Sequence, residues 1–114
     1  MVNSNQLLDR FGDIEFLEKL WIKAQTELPL QIKHISLLVQ SGDGALSKSL
    51  HKLRGLISNF LTEEHAISLL KECERLVESN QTEEFTEVWN KFAAALQQEA
   101  LNLNHWIKEK RLSS

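Results

Sequence analysis

The sequence has one cysteine and one proline in 114 residues, and tyrosine is absent. Cys73 alone cannot form an internal disulfide, which fits a reducing compartment such as the cytoplasm. No stretch approaches the roughly 18 uninterrupted apolar residues of a membrane span. The N-terminus lacks a basic start followed by an apolar run, so no secretory signal is expected. A formal net charge of −3 argues against a general nucleic-acid binder.

Several motifs are also missing from the sequence. It has no glycine-rich nucleotide loop, no Walker lysine pattern and no kinase signature, which argues against an enzyme that uses ATP. No histidine spacing matches a metal motif such as HExxH, so no metal site is predicted.

Proline and glycine are sparse, β-branched residues form no alternating runs, and the dominant hydrophobic period is 3.6 residues. The sequence therefore predicts an all-α chain, and its length predicts a single domain over residues 1–114. The predicted helices are a short one around Leu7, Leu8 and Phe11, and long ones over residues 13–40, 44–60, 62–78 and 82–110. Four long amphipathic segments with short joints predict an antiparallel four-helix bundle, with the short first helix as an end cover.

The helix boundaries follow from residues that start or stop helices. Gly12 is expected to end the first helix and Asp13 to cap the second. Pro29 lies inside the second segment, where a missing N–H and a steric clash predict a kink or a break near Leu28. Further N-caps are predicted at Asp43, at Thr62 and, in a capping box with Glu83, at Asn80.

The third segment contains the stretch SLHKLRGLISNF, residues 49–60. With His51 placed at zero on a helical wheel, an apolar band lies opposite it, formed by Leu46, Leu50, Leu53, Leu56, Ile57 and Phe60. The residues within about 60° of His51 are Ser47, Lys48, Arg54, Gly55 and Ser58, with Lys52 at the edge. His51 is therefore predicted to project into solvent.

An exposed histidine on a helix usually has no function beyond solvation. Two features favour a function here. Lys48, Lys52 and Arg54 form a basic patch on an acidic protein, which suits an anionic partner or a phosphoryl group. Gly55 follows His51 by one turn, although glycine in a helix costs about 1 kcal/mol relative to alanine. Either its missing side chain gives space beside the imidazole, or it permits a kink or close helix packing.

The stretch LHKLRGLISNF resembles the phosphoacceptor motif of the histidine-containing phosphotransfer (HPt) domains of bacterial two-component phosphorelays. His51 matches the phosphoacceptor, Gly55 matches the glycine that follows one turn later, and Arg54 stands where lysine is usual and preserves the charge. The other departures are Leu56 and Ile57, where small residues are frequent, and Leu61, where a second glycine is common. The resemblance covers most of the chain, and the family fold is the four-helix bundle with a covering helix.

The resemblance implies that His51 accepts a phosphoryl group from the aspartyl phosphate of a receiver domain and passes it to another receiver. Arg54 would stabilise the phosphoryl oxygens and Gly55 would leave clearance for the receiver. The implied partner surface consists of Ser47, Lys48, Lys52 and Ser58. The receiver is expected to supply Mg²⁺ and most catalytic groups, so the chain itself would be a phosphoryl carrier, not an enzyme, without a cofactor or metal.

The expected partners are receiver domains and a hybrid sensor kinase, with neither nucleic acid nor membrane contact. The domain is expected to be cytoplasmic and monomeric, either alone or as part of a hybrid histidine kinase. The alternative is a helical protein-interaction module, related to the same bundle, that binds a partner without transferring phosphate.

The remaining candidate residues have structural interpretations. His34, His65 and His105 are scattered, and Cys73 falls on an apolar face, where packing is expected. Three tryptophans are assigned to the core and the helix ends, namely Trp21, Trp89 and Trp106. Two acidic pairs lie at predicted helix starts, where the helix dipole favours them, namely Glu63–Glu64 and Glu83–Glu84.

Overall fold

The computed structural model describes residues 4–41, 44–61 and 64–113, and all of its regular elements are helices. They are α1 (Ser4–Phe11), α2 (Ile14–Ser41), α3 (Leu46–Ser58), α4 (Glu64–Glu78) and α5 (Thr82–Ser113). The all-α prediction is confirmed for these residues. The molecule measures 48 × 21 × 19 Å. Its longest dimension matches the length of α5, since a helix rises about 1.5 Å per residue.

The joint between α1 and α2 forms as the sequence predicts. Gly12 has φ +87°, and its N–H donates to the carbonyl of Leu8 at 2.8 Å, which ends α1. Asp13 caps α2, because its Oδ1 accepts the N–H of Phe16 at 2.8 Å. A left-handed glycine followed directly by an N-cap lets two helices meet with only two residues between them.

Of the kink or break predicted near Leu28, the break is wrong. Helix α2 continues from Ile14 to Ser41 with Pro29 inside it. Pro29 is exposed, while Leu28 and Ile35 on either side of it are buried in the core. Burial of the apolar face holds the helix together on both sides of the proline.

The predicted capping box at Asn80 and Glu83 is also wrong. Asn80 has φ +58° and closes the end of α4. Its N–H donates to the carbonyl of Val77 at 3.2 Å, and the N–H of Gln81 donates to the carbonyl of Leu76 at 3.0 Å. This pair of bonds is the Schellman motif, in which asparagine can replace glycine. Asparagine suits both a helix start and a left-handed helix end, and the sequence alone favoured the wrong one.

The start of α3 lies two residues later than predicted, at Leu46. Its N-cap is Ala45, which provides no side-chain hydrogen bond. The predicted caps Asp43 and Thr62 lie outside the described residues. At the other end of α3, Arg10 of α1 donates through Nη1 to the carbonyls of Ser58 and Asn59, both at 3.1 Å. A cation at a helix C-terminus is favourable, so Arg10 fastens α1 to the end of α3.

Helices α2 to α5 contact one another in a ring. Each helix contacts the next one in sequence, and α2 also contacts α5. At one end of the core, the ring of Phe60 lies 5.4 Å from that of Phe11 and 5.2 Å from that of Trp21. The core takes residues from all five helices, among them Leu7, Leu17, Trp21, Ile35, Leu50, Leu53, Ile57, Leu70, Cys73, Phe85, Phe92 and Leu103.

One buried carboxylate belongs to this interior. Glu99 of α5 is buried, and its Oε2 accepts the N–H of Ala66 in the first turn of α4 at 3.1 Å. A negative group is favourable at this helix end, where backbone N–H groups lack partners within the helix. In the described part of the chain, the helices do not combine the length and apolarity needed to cross a membrane.

Candidate functional site

Helix α3 places His51 on the surface, as the spacing of its apolar residues predicts. Leu50, Leu53 and Ile57 are buried and fix the rotation of the helix. The His51 side chain is 72% exposed. The imidazole is therefore open to a partner while the backbone beneath it is held by the core.

Arg54, by contrast, is not a free surface charge. Its Nε donates to Oε2 of Glu74 on α4 at 2.6 Å, and the two side chains are 31% and 15% exposed. A charge-assisted hydrogen bond of this length between partly buried groups is among the stronger polar contacts in a protein. The bond fixes the guanidinium at the junction of α3 and α4.

This pair also contacts the imidazole. Nδ1 of His51 lies 3.1 Å from Nη2 of Arg54 and 3.4 Å from Oε1 of Glu74. The 3.1 Å contact is a hydrogen bond, and because a guanidinium can only donate, Nδ1 accepts it. The 3.4 Å contact is an ion-pair distance, and it can become a hydrogen bond only when Nδ1 carries the ring proton. When Nδ1 donates to Glu74, the lone pair of a neutral ring lies on Nε2. Both contacts use Nδ1, so Nε2 is the nitrogen that the site presents to a partner.

The other side of His51 is open. Gly55 is exposed, and a Cβ added to it would meet nothing within 4 Å outside its own helical backbone and neighbours. Close helix packing therefore does not explain this glycine, and α3 continues past it to Ser58. Of the predicted partner surface, Lys48, Lys52 and Ser58 are exposed and Ser47 is half-buried.

Glu74 is not among the site residues predicted from the sequence. A usable signal was present, because Glu74 follows Leu70 by four residues and so lies at the edge of the apolar face of α4. A carboxylate at that position packs beside the core instead of projecting away from it. Its pairing with Arg54 and His51 depends on how α3 and α4 meet, and a helical wheel of either one does not contain that information.

The remaining candidates behave as structural residues. Cys73 is buried, and this burial, together with the charges of Glu72 and Glu74, raises the pKa of its thiol to about 12. The thiol is protonated at neutral pH and serves packing, as predicted. Trp21 and Trp89 are buried and Trp106 is half-buried, while His34, His65 and His105 are exposed. Among the described residues, histidine, cysteine and carboxylate side chains form no cluster suited to a metal ion.

Comparison of the chain with protein-family models, with curated proteins and with solved structures finds no match in any of the three. The geometry around His51 and the resemblance of its motif to the HPt motif are therefore the grounds for a functional proposal.

Proposed function

We propose that this protein is a histidine-containing phosphotransfer domain that carries a phosphoryl group on His51. The observation that carries the proposal is the environment of His51, whose exposed imidazole is engaged through Nδ1 by the Arg54–Glu74 pair. An exposed histidine with no role beyond solvation needs no such support on one side and no glycine on the other.

The fold proposed for this function is an antiparallel four-helix bundle of α2 to α5, covered at one end by α1. Two contacts support opposite directions for α2 and α5. Arg111 bonds Glu18, and Asn104 bonds Trp21, so a later residue of α2 meets an earlier residue of α5. The bond from Arg10 to the end of α3 supports the covering role of α1.

The proposed reaction is nucleophilic attack on an aspartyl phosphate. The lone pair of Nε2 attacks the phosphorus in line, an N–P bond forms, and the P–O bond to the aspartate breaks to return its carboxylate. For this attack the ring carries its proton on Nδ1, facing Glu74, in place of the hydrogen bond that Nδ1 accepts from Arg54, and the ring becomes cationic as the N–P bond forms. Oε1 of Glu74, 3.4 Å from Nδ1, then balances this charge. Transfer to a second receiver reverses the step, with an aspartate carboxylate as the nucleophile.

The division of tasks with the receiver follows from this chemistry. Phosphoryl transfer needs positioning and charge stabilisation, and the receiver would supply Mg²⁺ and most of the catalytic groups. The present chain would act as a cytoplasmic, monomeric carrier between receiver domains and a hybrid sensor kinase. Lys48, Lys52, Ser47 and Ser58 would belong to the surface that meets the receiver.

Transfer from a phosphorylated receiver tests the proposal. The purified chain is incubated with phosphorylated receiver domains, and with phosphoramidate as a donor that needs no receiver. We expect acid-labile, alkali-stable phosphate on the wild-type protein and none on His51→Gln. The matched control is His105→Gln, because His105 is also exposed and on a helix.

Folding of His51→Gln should match the wild type by thermal melting, because the side chain that changes is exposed. Full phosphorylation of His51→Gln, or phosphate mapped to another histidine, contradicts the proposal. Tight receiver binding without any phosphorylation of the wild type would instead favour the interaction module.

A further inference from the structure

Helix α1 is held at the end of the bundle by tertiary contacts. It has 8 residues, and an isolated helix shorter than about 12 residues is marginal in water. Leu7 is fully buried, and the Phe11 ring stacks on that of Phe60 with 5.4 Å between their centroids. Arg10 donates to two carbonyls at the end of α3. Because α1 depends on these contacts, it needs a bundle end to pack against, either its own or that of another copy.

The joint between α1 and α2 is a two-residue turn that can be straightened. Gly12 has the left-handed φ of +87°, and Asp13 Oδ1 accepts the N–H of Phe16 at 2.8 Å. In an uninterrupted helix the same N–H would bond the carbonyl of Gly12, four residues earlier. Straightening the joint therefore replaces one hydrogen bond by another and returns Gly12 to the ordinary helical conformation, so its local cost is small.

The apolar pattern runs through this joint without a change of phase. On a continuous helix the apolar residues on both sides of it would lie within about 120° of one another. Their spacings are three or four residues throughout, and they are Leu7, Phe11, Ile14, Leu17 and Trp21. Two helices that meet only at a sharp turn do not need a shared phase. The same sequence therefore suits both the closed joint and one amphipathic helix over residues 4–41.

We propose that α1 exchanges between two copies of this chain, so that the α1 of each copy covers the bundle end of the other. In this open form α1 continues α2 beyond the bundle by about 12 Å, and Leu7 and Phe11 lose their cover within the chain. Phe60 loses its cover as well. A second open copy restores both, because it offers the same helix and the same bundle end. Short strained hinges favour such exchange, and the product is a symmetric dimer.

The partner is a second copy because the bundle end and its cover already match in shape and bonding. Phe11 would stack on Phe60 of the other copy, and Arg10 would bond the carbonyls at the end of the other α3. The contacts are the same in both forms, so the hinge and the protein concentration set the balance between them. The monomeric carrier proposed above is the closed form, which dilution favours. The exchanged contacts lie two turns past His51, so the dimer would carry two exposed imidazoles.

Gly12→Ala tests the exchange, because alanine is strained in the left-handed joint and favoured in the straight helix. The readout is the dissociation constant of the dimer, from sedimentation equilibrium. We expect the wild type to form dimer detectably by about 1 mM. Gly12→Ala should lower the dissociation constant about a hundredfold, since one strained hinge shifts the balance about tenfold and each dimer relieves two. Gly55→Ala is the matched control, because Gly55 is exposed on α3 and takes no part in the joint.

Two further variants act on the hinge in opposite directions. Asp13→Ala removes a hydrogen bond that only the closed joint uses, so it should also strengthen the dimer. Insertion of a short glycine-serine linker after Gly12 should instead give a monomer, because a longer loop lets α1 fold back without strain. Unchanged dissociation constants in both Gly12→Ala and Asp13→Ala overturn the proposal.

Isotope-filtered NOE spectra show which chain supplies each contact in the dimer. Labelled (¹³C) and unlabelled Gly12→Ala chains are unfolded in urea and refolded together. Exchange predicts NOEs between the Phe11 ring of one chain and the Phe60 ring of the other, the pair that stacks at 5.4 Å in the closed form. A dimer in which these NOEs arise only within chains overturns the proposal, and so does a wild type that stays monomeric at about 1 mM.

Discussion

The two flanks of His51 differ although Arg54 and Gly55, which define them, are adjacent in sequence. On the flank toward α4, Arg54 and Glu74 are partly buried, bonded to each other and in contact with Nδ1. On the flank toward α2, Gly55 leaves open space and the lysines are exposed. One turn of helix thus presents a fixed support and a free approach on opposite sides of one imidazole.

The difference shows how a helix can serve packing and chemistry together. Successive residues point about 100° apart, so neighbours in sequence face different environments. Substitutions on the α4 flank should therefore change stability and transfer together. Substitutions on the open flank should change transfer without lowering stability.

The largest effect is expected for Arg54→Ala. It leaves the carboxylate of Glu74, which is 15% exposed, without its cation. Loss of a partner from a largely buried acceptor costs about 1–3 kcal/mol, so the free energy of unfolding should fall by that amount, and transfer should slow. Urea denaturation and transfer rates on the same protein measure both quantities.

Arg54→Lys is the matched variant, and it should retain most of the transfer rate because lysine supplies the charge without the bidentate fork. An alanine variant that transfers at the wild-type rate would mean that Arg54 only stabilises the junction of α3 and α4.

Glu74→Gln should have a smaller effect on stability. Arg54 is 31% exposed and can be hydrated when its partner loses its charge, so about 1 kcal/mol or less is expected. Transfer should slow, because an uncharged amide no longer balances the cationic ring. The ¹⁵N chemical shifts of His51 should show a larger share of the tautomer with the proton on Nε2. An unchanged tautomer ratio would show that Glu74 does not orient the imidazole.

Substitutions of Gly55 examine the open flank. Gly55→Ala should raise the free energy of unfolding by up to about 1 kcal/mol, because the position is helical, exposed and unobstructed. Gly55→Gln should preserve or raise stability but slow transfer from the receiver, since its side chain lies in the path of approach. The phosphoramidate rate of Gly55→Gln should change less than the receiver rate.

Gly12→Ala is the control for Gly55→Ala. Gly12 has φ +87°, where an L side chain is strained, so the same change should destabilise by about 1 kcal/mol. A destabilised Gly55→Ala protein would remove the contrast between the two glycines and with it the clearance role of Gly55.

The last prediction concerns the reactivity of the Cys73 thiol and involves no effect on transfer. This reactivity reports whether the α4 flank is closed. Its pKa of about 12 lies above that of an ordinary thiol, so in the folded state the thiol should resist Ellman's reagent at pH 8 and react only as the protein opens. The unfolded thiol ionises at lower pH than the folded one, so stability should fall as pH rises from about 9 toward 12 and be unaffected below that range. Fast modification of the native protein would show that this side is open.

Much of the local structure could be predicted from the sequence. The stop at Gly12, the cap at Asp13 and the exposure of His51 all depend on residues within one or two turns of each other, and all three predictions are confirmed. The two predictions that are wrong, a break near Leu28 and a cap at Asn80, have a different origin. A proline in a long helix and an asparagine between two helices each permit two local outcomes, and packing of the flanking apolar residues selects one.

The sequence by itself determined the helical periodicity, and with it which face of α3 is buried and that His51 projects from the other. These properties follow from backbone geometry and the burial of apolar side chains, which act along one helix. Only the tertiary structure decided that Arg54 is tied to Glu74, that both meet Nδ1, and that Arg10 holds the end of α3. Arg54 and Glu74 are 20 residues apart, and Arg10 and Ser58 are 48 apart. Such pairs are set by the angle and offset at which two helices pack, which depend on the shape of the whole core.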